Sequence, residues 1–307
     1  MQNKIPTISI AMPTYNGGRY LREQLDSIYC QTKQPDEVIV VDDCSTDNTI
    51  EILKEFHKKY GLKYYINEKN LGYNKNFEKA ITLCSSDFIA LCDQDDIWLP
   101  EKIEKTYNKL KEYPKDIPAL VSSFNSTDIN ILKCKVKNKC QSGGWHLNFT
   151  KYASQGCTLM FNKKLKDIII PIPDGIMYDA YIGFTAALLG NRYYIGEQLM
   201  YYRIHNDNAF AKKHETSKYQ IFKKEINKHL PYWFDVERKE VLHFIINIHK
   251  NNIKKERLEY VNSILKLYEV GIIKRILILI SIKKIPIKIK YKTILCLFVK
   301  YFFKIGK

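Results

Sequence analysis

The chain has 307 residues, enough for one large domain or two modest ones. A hydrophobic fraction of 45%, with 13% aromatic, supports a packed core and excludes a disordered chain. The formal charge of +16 favours anionic partners: nucleic acid, phosphorylated ligands or a membrane surface. The cysteines form no Cys-x-x-Cys pair and lack paired histidine spacing, which argues against a zinc site and for buried free thiols such as Cys92 and Cys296. Residues 1–6 lack the apolar stretch of a signal peptide, and no run reaches the ~18–20 apolar residues of a spanning helix. The expected location is the cytoplasm.

The first 125 residues alternate strand-like and helix-like segments, the pattern of a mainly parallel sheet with crossover helices. Thr7–Met12 is β-rich, and Tyr20–Gln31 has helical spacing with Leu21, Leu25 and Ile28 on one face. Glu37–Val41 is a second strand, ending in Asp42-Asp43, and Ser45 or Thr46 is placed to cap a helix through His57. Leu62–Ile66 reads as a strand, Tyr73–Leu83 as a helix and Phe88–Cys92 as a fourth strand. Pro100 is expected at the first position of the next helix, and Ala119–Phe124 is a fifth strand. Ser126–Phe149 is polar and Lys-rich, a loop or lid. Gly156–Phe161 is expected to be a strand, Asp179 opens a helix through Leu189, and Arg192–Ile195 is another strand. A boundary is placed near residue 210, giving a catalytic region 1–210 and a helical region 211–307.

Residues 271–307 hold ten Lys or Arg and no Asp or Glu, with apolar clumps at 276–282 and 294–303. Such a segment suits the surface of an anionic membrane; a terminal helix pair with solvated lysines is the plainer reading.

Two acidic groups follow predicted strands: Asp42-Asp43, and Asp93-Gln94-Asp95-Asp96. Open α/β sheets bind ligands at the carboxyl ends of their strands. Carboxylates this close repel unless a cation or hydrogen-bond donors neutralise them. A hard divalent ion such as Mg²⁺ or Mn²⁺ suits oxygen ligands and shares its shell with phosphates. The alternatives are capping and turn formation at Asp42-Asp43, and a solvated acidic turn at Asp93–Asp96. Neither a Gly-x-Gly-x-x-Gly fingerprint nor a P-loop is present.

In order along the chain stand Ile8–Asn16 (ISIAMPTYN), Gln31-Thr32, Val40–Thr49 (VVDDCSTDNT), Asn70-Leu71-Gly72 and Asp93–Trp98 (DQDDIW). Gly156-Cys157-Thr158, Tyr178-Asp179 and Tyr202-Arg203-Ile204-His205 follow. This series resembles the inverting family 2 glycosyltransferases, in the branch of rhamnosyltransferase-like enzymes of bacterial surface polysaccharide synthesis. The resemblance implies an α/β fold of GT-A type, with a helical basic C-terminal extension, and a UDP- or dTDP-linked sugar donor. The acceptor it implies is a glycan or lipid-linked saccharide. Pro13 and Tyr15, just past the first strand, would line the nucleotide pocket with Asp43, Asn70 and Asp93. Asp95 and His205 would hold Mn²⁺ or Mg²⁺, although His205 also reads as a satisfied loop histidine. Asp96, Gly156 and Cys157 would shape the acceptor side, and Asp179 would be the general base. Where the family shows His-Asp this chain has Tyr178-Asp179, and Asp174 is the competing base.

A nucleotidyltransferase would carry a Gly-rich basic loop after the first strand, where this chain has Pro13-Thr-Tyr-Asn-Gly-Gly18 and Arg19. A nucleic-acid-binding module fits the net charge, but the acidic clusters would repel phosphates. No nucleic-acid partner is expected.

Overall fold

A computed structural model describes residues 5–126, 155–205, 236–269 and 272–282. The expected lid at 126–149, apart from Ser126, lies outside the described residues, as does the tail beyond 282. The chain forms two compact units. Among the described residues, the first holds 5–126, 155–186 and 190–205, and the second holds 187–189, 236–269 and 272–282.

The first unit is built on an eight-stranded sheet. Its strands are β1 (Ile8–Thr14), β2 (Glu37–Asp42), β3 (Lys63–Ile66), β4 (Phe88–Leu91), β5 (Ile97–Trp98), β6 (Ala119–Ser126), β7 (Leu159–Asn162) and β8 (Asn191–Tyr201). Their order is β3-β2-β1-β4-β7-β6-β8-β5. β3, β2, β1 and β4 are parallel neighbours. β7 runs antiparallel to β4 and β6, and β5 antiparallel to β8. The expected mainly parallel sheet is therefore parallel on one side and mixed on the other.

The alternation of side chains builds the core. Ile8, Ile10 and Met12 of β1 and Val38 and Val40 of β2 share one buried cluster. That cluster includes Leu21, Leu25 and Ile28 of α1 (Leu21–Tyr29) and Ile52, Leu53 and Phe56 of α2 (Thr49–Tyr60). Ile103, Tyr107 and Leu110 of α4 (Lys102–Leu110) also belong to it. The alternate residues Ala11, Ile39 and Val41 are also buried, because α3 (Tyr73–Leu83) packs on β1 and β2. Burial on both faces explains the unbroken apolar run Val38–Val41. Phe77, Ala80 and Ile81 of α3 are buried as its spacing predicts.

Several boundaries differ from expectation for visible reasons. The helix expected to be capped by Ser45 or Thr46 starts at Thr49, because the Ser45 side chain bonds Asp42 instead. Pro100 lies before α4 rather than at its first position. Its carbonyl accepts the Thr32 amide at 2.8 Å, while Gln31 receives the Ile103 amide at 3.0 Å and donates to the Leu99 carbonyl at 2.8 Å. The Gln31-Thr32 pair thus anchors the start of α4. Gly156–Thr158 is a 3₁₀ turn rather than strand, closed by Thr158 amide and hydroxyl bonds to the Gln155 carbonyl.

Asn162 closes β7 and caps α5 (Lys163–Ile169), its Oδ1 accepting from the Leu165 and Ala119 amides at 3.0 Å each. Its Nδ2 donates to the Ile117 carbonyl at 2.8 Å. α6 (Tyr178–Leu189), of which residues 178–186 belong to this unit, starts next to Asp179 as expected. In the second unit lie α7 (Val236–His249), α8 (Lys255–Glu269) and α9 (Ile272–Ser281). No helix among the described residues is long and apolar enough to cross a membrane.

Asn162→Ala removes a helix cap and strands the buried Ala119 amide. It is expected to lower stability by roughly 1–3 kcal/mol in urea unfolding, while Asn162→Asp, which keeps the cap acceptor, costs less.

Candidate active site

Parallel strands β1, β2 and β4 end at one edge of the sheet, and the loops that follow them are sewn together there. Pro13 lies inside β1, not past it, paired with Val41, and Tyr15 is the first residue beyond the strand. The Gln94 side chain accepts the Tyr15 amide at 2.9 Å and donates to the Tyr15 carbonyl at 3.0 Å. A side chain at Gly17 would collide with that Gln94 amide. The Asn16 and Gly18 amides donate to Ser45 and Asp47, at 2.8 and 2.9 Å, tying the loop after β1 to the loop after β2. The Tyr15 ring is left half exposed beside this seam.

Asp42 and Asp43 are both buried, and donors rather than a cation satisfy them. Asp42 accepts from Thr14 and Ser45. Asp43 accepts from the amides of Leu71 and Gly72, both at 2.8 Å, and from Asn67 at 2.7 Å. Asn70 donates to the Asp43 carbonyl at 3.2 Å. The Asn70-Leu71-Gly72 turn is therefore folded onto Asp43, with Gly72 at the positive φ of 79° that such a turn needs. Asn67 also receives Lys79 and bonds Asn76, whose amide reaches the Val41 carbonyl at 2.8 Å.

The second acidic loop is more crowded. Asp96 is fully buried, its Oδ1 accepting the Arg203 amide at 3.1 Å and its Oδ2 having no hydrogen-bond partner. Arg203 also donates to the Asp95 carbonyl at 2.9 Å, pairs with Glu23 and lies over the Tyr20 ring. Asp95 and His205, distant in sequence, meet with Oδ2 and Nε2 2.8 Å apart. Lys102 is buried below the loop, its ammonium donating to the Cys157 carbonyl at 3.1 Å and facing the Trp98 ring at 4.7 Å. Burial pushes the Lys102 ammonium below its ordinary value, against the pull of Cys157, Cys92, Asp96 and Asp93.

Burial raises the Asp93 carboxyl to about 7, with Asp95 and Asp179 adding like charge. Burial, Asp93 and Asp95 raise Asp96 to about 8. Asp179, at the start of α6, thus faces the same charge field as Asp93, and its Oδ1 accepts the Ala180 amide at 2.6 Å. Tyr178 is buried on Phe77, ring centroids 4.1 Å apart, and its hydroxyl occupies the space a side chain at Gly156 would need. Asp174, the competing base, is 87% exposed and paired with Lys75 at 2.8 Å.

These residues fit a divalent cation. Asp93, Asp95 and Asp96 concentrate negative charge, Asp96 carries a buried oxygen without a donor, and His205 offers a nitrogen beside Asp95. Sequence reasoning missed Gln94, Asn67, Asn76, Lys102 and the backbone-anchoring role of Arg203. The one visible signal is the density of asparagines between 67 and 76. Residues 206–208 (Asn-Asp-Asn), which follow His205, lie outside the described residues.

Residues 9–179, more than half of the chain, match the profile of glycosyl transferase family 2. The chain belongs to that family. A dTDP-rhamnosyl transferase of Shigella flexneri, RfbG, is 30% identical over 218 residues, covering 64% of this chain and 72% of the relative. An uncharacterized glycosyltransferase of Methanocaldococcus jannaschii is 38% identical over 133 residues, or 42% of this chain; the match spans 46% of that relative, about half its length. Among solved structures, residues 1–349 of S. aureus TarS in complex with UDP-GlcNAc superpose with a TM-score of 0.55. They do so at 19% identity, over 97% of this chain and 92% of that one. This likeness shows the fold of this family 2 glycosyltransferase, an α/β fold of GT-A type.

The raised carboxyls set a pH dependence. The folded protein holds protons on Asp93 and Asp96 that the unfolded chain has lost, so stability falls as pH rises from the ordinary carboxylate range towards about 8. In EDTA, the stability of Asp96→Asn relative to wild type is expected to grow across that window. The growth is at most about 1.4 kcal/mol per pH unit, read from urea unfolding at successive pH values.

Proposed function

We propose that this enzyme transfers a sugar from a UDP- or dTDP-linked donor to an acceptor hydroxyl with inversion at the anomeric carbon. The acceptor would be a growing or lipid-linked bacterial surface glycan. The observation that carries this reading is the grouping of Asp93, Asp95 and Asp96 just after β4 at the carboxyl edge of a family 2 sheet, with Asp179 near enough to add like charge to Asp93. The 30% identity to a dTDP-rhamnosyl transferase supports the donor class.

Pro13, Tyr15, Asp43, Asn70 and Asp93 would form the nucleotide side. The exposed Tyr15 ring is free to stack on a base, and the turn folded on Asp43 presents a fixed wall. Asp95 and His205 would hold Mn²⁺ or Mg²⁺. When bound, that ion supplies positive charge against the departing nucleoside diphosphate. Asp96, Gly156 and Cys157 would shape the acceptor side, with Tyr178 filling the space over Gly156. Asp179 would accept the proton of the acceptor hydroxyl as its oxygen attacks the anomeric carbon. A single displacement inverts that carbon and needs no second, nucleophilic carboxylate, unlike retaining glycoside hydrolysis. The working place is the cytoplasmic face of the membrane, held by the basic 271–307 segment. Leu277 and Ile280 of α9 are exposed, which suits that role.

Asp179→Asn is expected to lower kcat by roughly 10²–10⁴-fold with donor binding retained, whereas Asp174→Asn leaves turnover near wild type. Transfer assays with purified variants decide it: a normal rate for Asp179→Asn, or a collapse for Asp174→Asn, moves the base elsewhere.

A further inference from the structure

Asp179 is the second residue of α6, and residues 171–177 before it form neither strand nor helix. Met177, which flanks the helix, carries no oxygen to cap it. The acceptor comes instead from α3. Asn74 Oδ1 accepts the Tyr178 amide at 2.9 Å, one of the first-turn amides that a helix leaves without an internal partner. Asn74 Nδ2 donates to the Ile176 carbonyl at 2.6 Å. One planar side-chain amide thus grips the backbone on both sides of Met177. Two further α3 side chains hold the same segment. Phe77 stacks on Tyr178, and Lys75 donates to the Ile172 carbonyl at 3.0 Å. α3 itself starts directly after Gly72, whose amide donates to Asp43 at 2.8 Å. The turn folded on Asp43 and the start of α6 are therefore joined through the first turn of one helix.

We propose that Asn74 is a positioning residue. Its amide fixes the start of α6, and through it the Asp179 carboxyl, relative to the Asp43 turn. This role rests on the reading of Asp179 as the general base; the clasp itself does not. Asn74 takes no part in the proton transfer. Its effect falls on kcat, because a reacting group displaced by about 1 Å loses rate by roughly 10²-fold. Donor binding is spared, because Asp43 keeps its own bonds to Asn67, Leu71 and Gly72.

Two measurements on the full chain test it. Amide hydrogen exchange reads the clasp without turnover. In Asn74→Ala the Tyr178 amide is expected to exchange roughly tenfold faster or more, while the β1 and β2 amides keep their protection. Unchanged exchange at Tyr178, or an equal rise across β1 and β2, overturns the clasp. A double-mutant cycle reads the route to Asp179. Asn74→Ala is expected to lower kcat by roughly 10–100-fold, with donor KM within about twofold of wild type. In the Asp179→Asn background the same change should have little further effect, because residues that act as a unit are not additive. An equal loss of kcat in both backgrounds, or a loss that falls on donor KM alone, overturns the positioning role. If Asn74→Ala does not fold, the nearly isosteric Asn74→Leu, which also loses both bonds, replaces it in both measurements. Normal turnover in Asp179→Asn alone would sink the base reading and leave the exchange result for the clasp standing.

Discussion

The constraint on which this site depends is electrostatic: three carboxylates within four residues, Asp93, Asp95 and Asp96, at the buried edge of a sheet. Like charges this close, withdrawn from water, oppose folding. The protein answers locally with fixed partners. Arg203 holds the backbone and one side chain of the loop, Lys102 lies beneath it, and His205 closes on Asp95. The remaining mismatch shows in the raised Asp93 and Asp96 carboxyls and in the donorless oxygen of Asp96. A cation bound there would relieve that repulsion and stabilise the native state.

The neighbouring acidic pair shows the contrast. Asp42 and Asp43 are as buried, but hydroxyls, amides and Asn67 satisfy them. They are structural knots that shape the loop over which a nucleotide would lie. Adjacent acidic residues at strand ends therefore have two different physical outcomes in one molecule. The difference lies in the donors that the surrounding loops deliver.

Much of this was legible in the sequence. Helical spacing located α1 and α3, apolar runs located β2 and β4, and both acidic clusters fell at strand ends. The misplaced boundaries trace to side-chain hydrogen bonds that spacing does not show, local in one case and distant in another. Ser45 turned to Asp42, and Gln31 with Thr32 determined where α4 begins. The staple from Gln94 to Tyr15, the Lys102 bond to Cys157 and Arg203 on Asp95 all join residues distant in sequence. Spacing rules carry no information about such contacts. The antiparallel entry of β7 between β4 and β6 was equally hidden, because strand direction is set by the path of the chain between strands.

The most direct measurement is a thermal-shift series on the purified chain with UDP, dTDP, GDP and CDP, each with Mn²⁺ or with EDTA. A ligand that binds the native state raises its apparent stability by RT ln(1 + [L]/Kd). The expected result is an upward shift with UDP or dTDP in Mn²⁺ that disappears in EDTA. No shift with any of the four nucleotides in the presence of Mn²⁺ would contradict it.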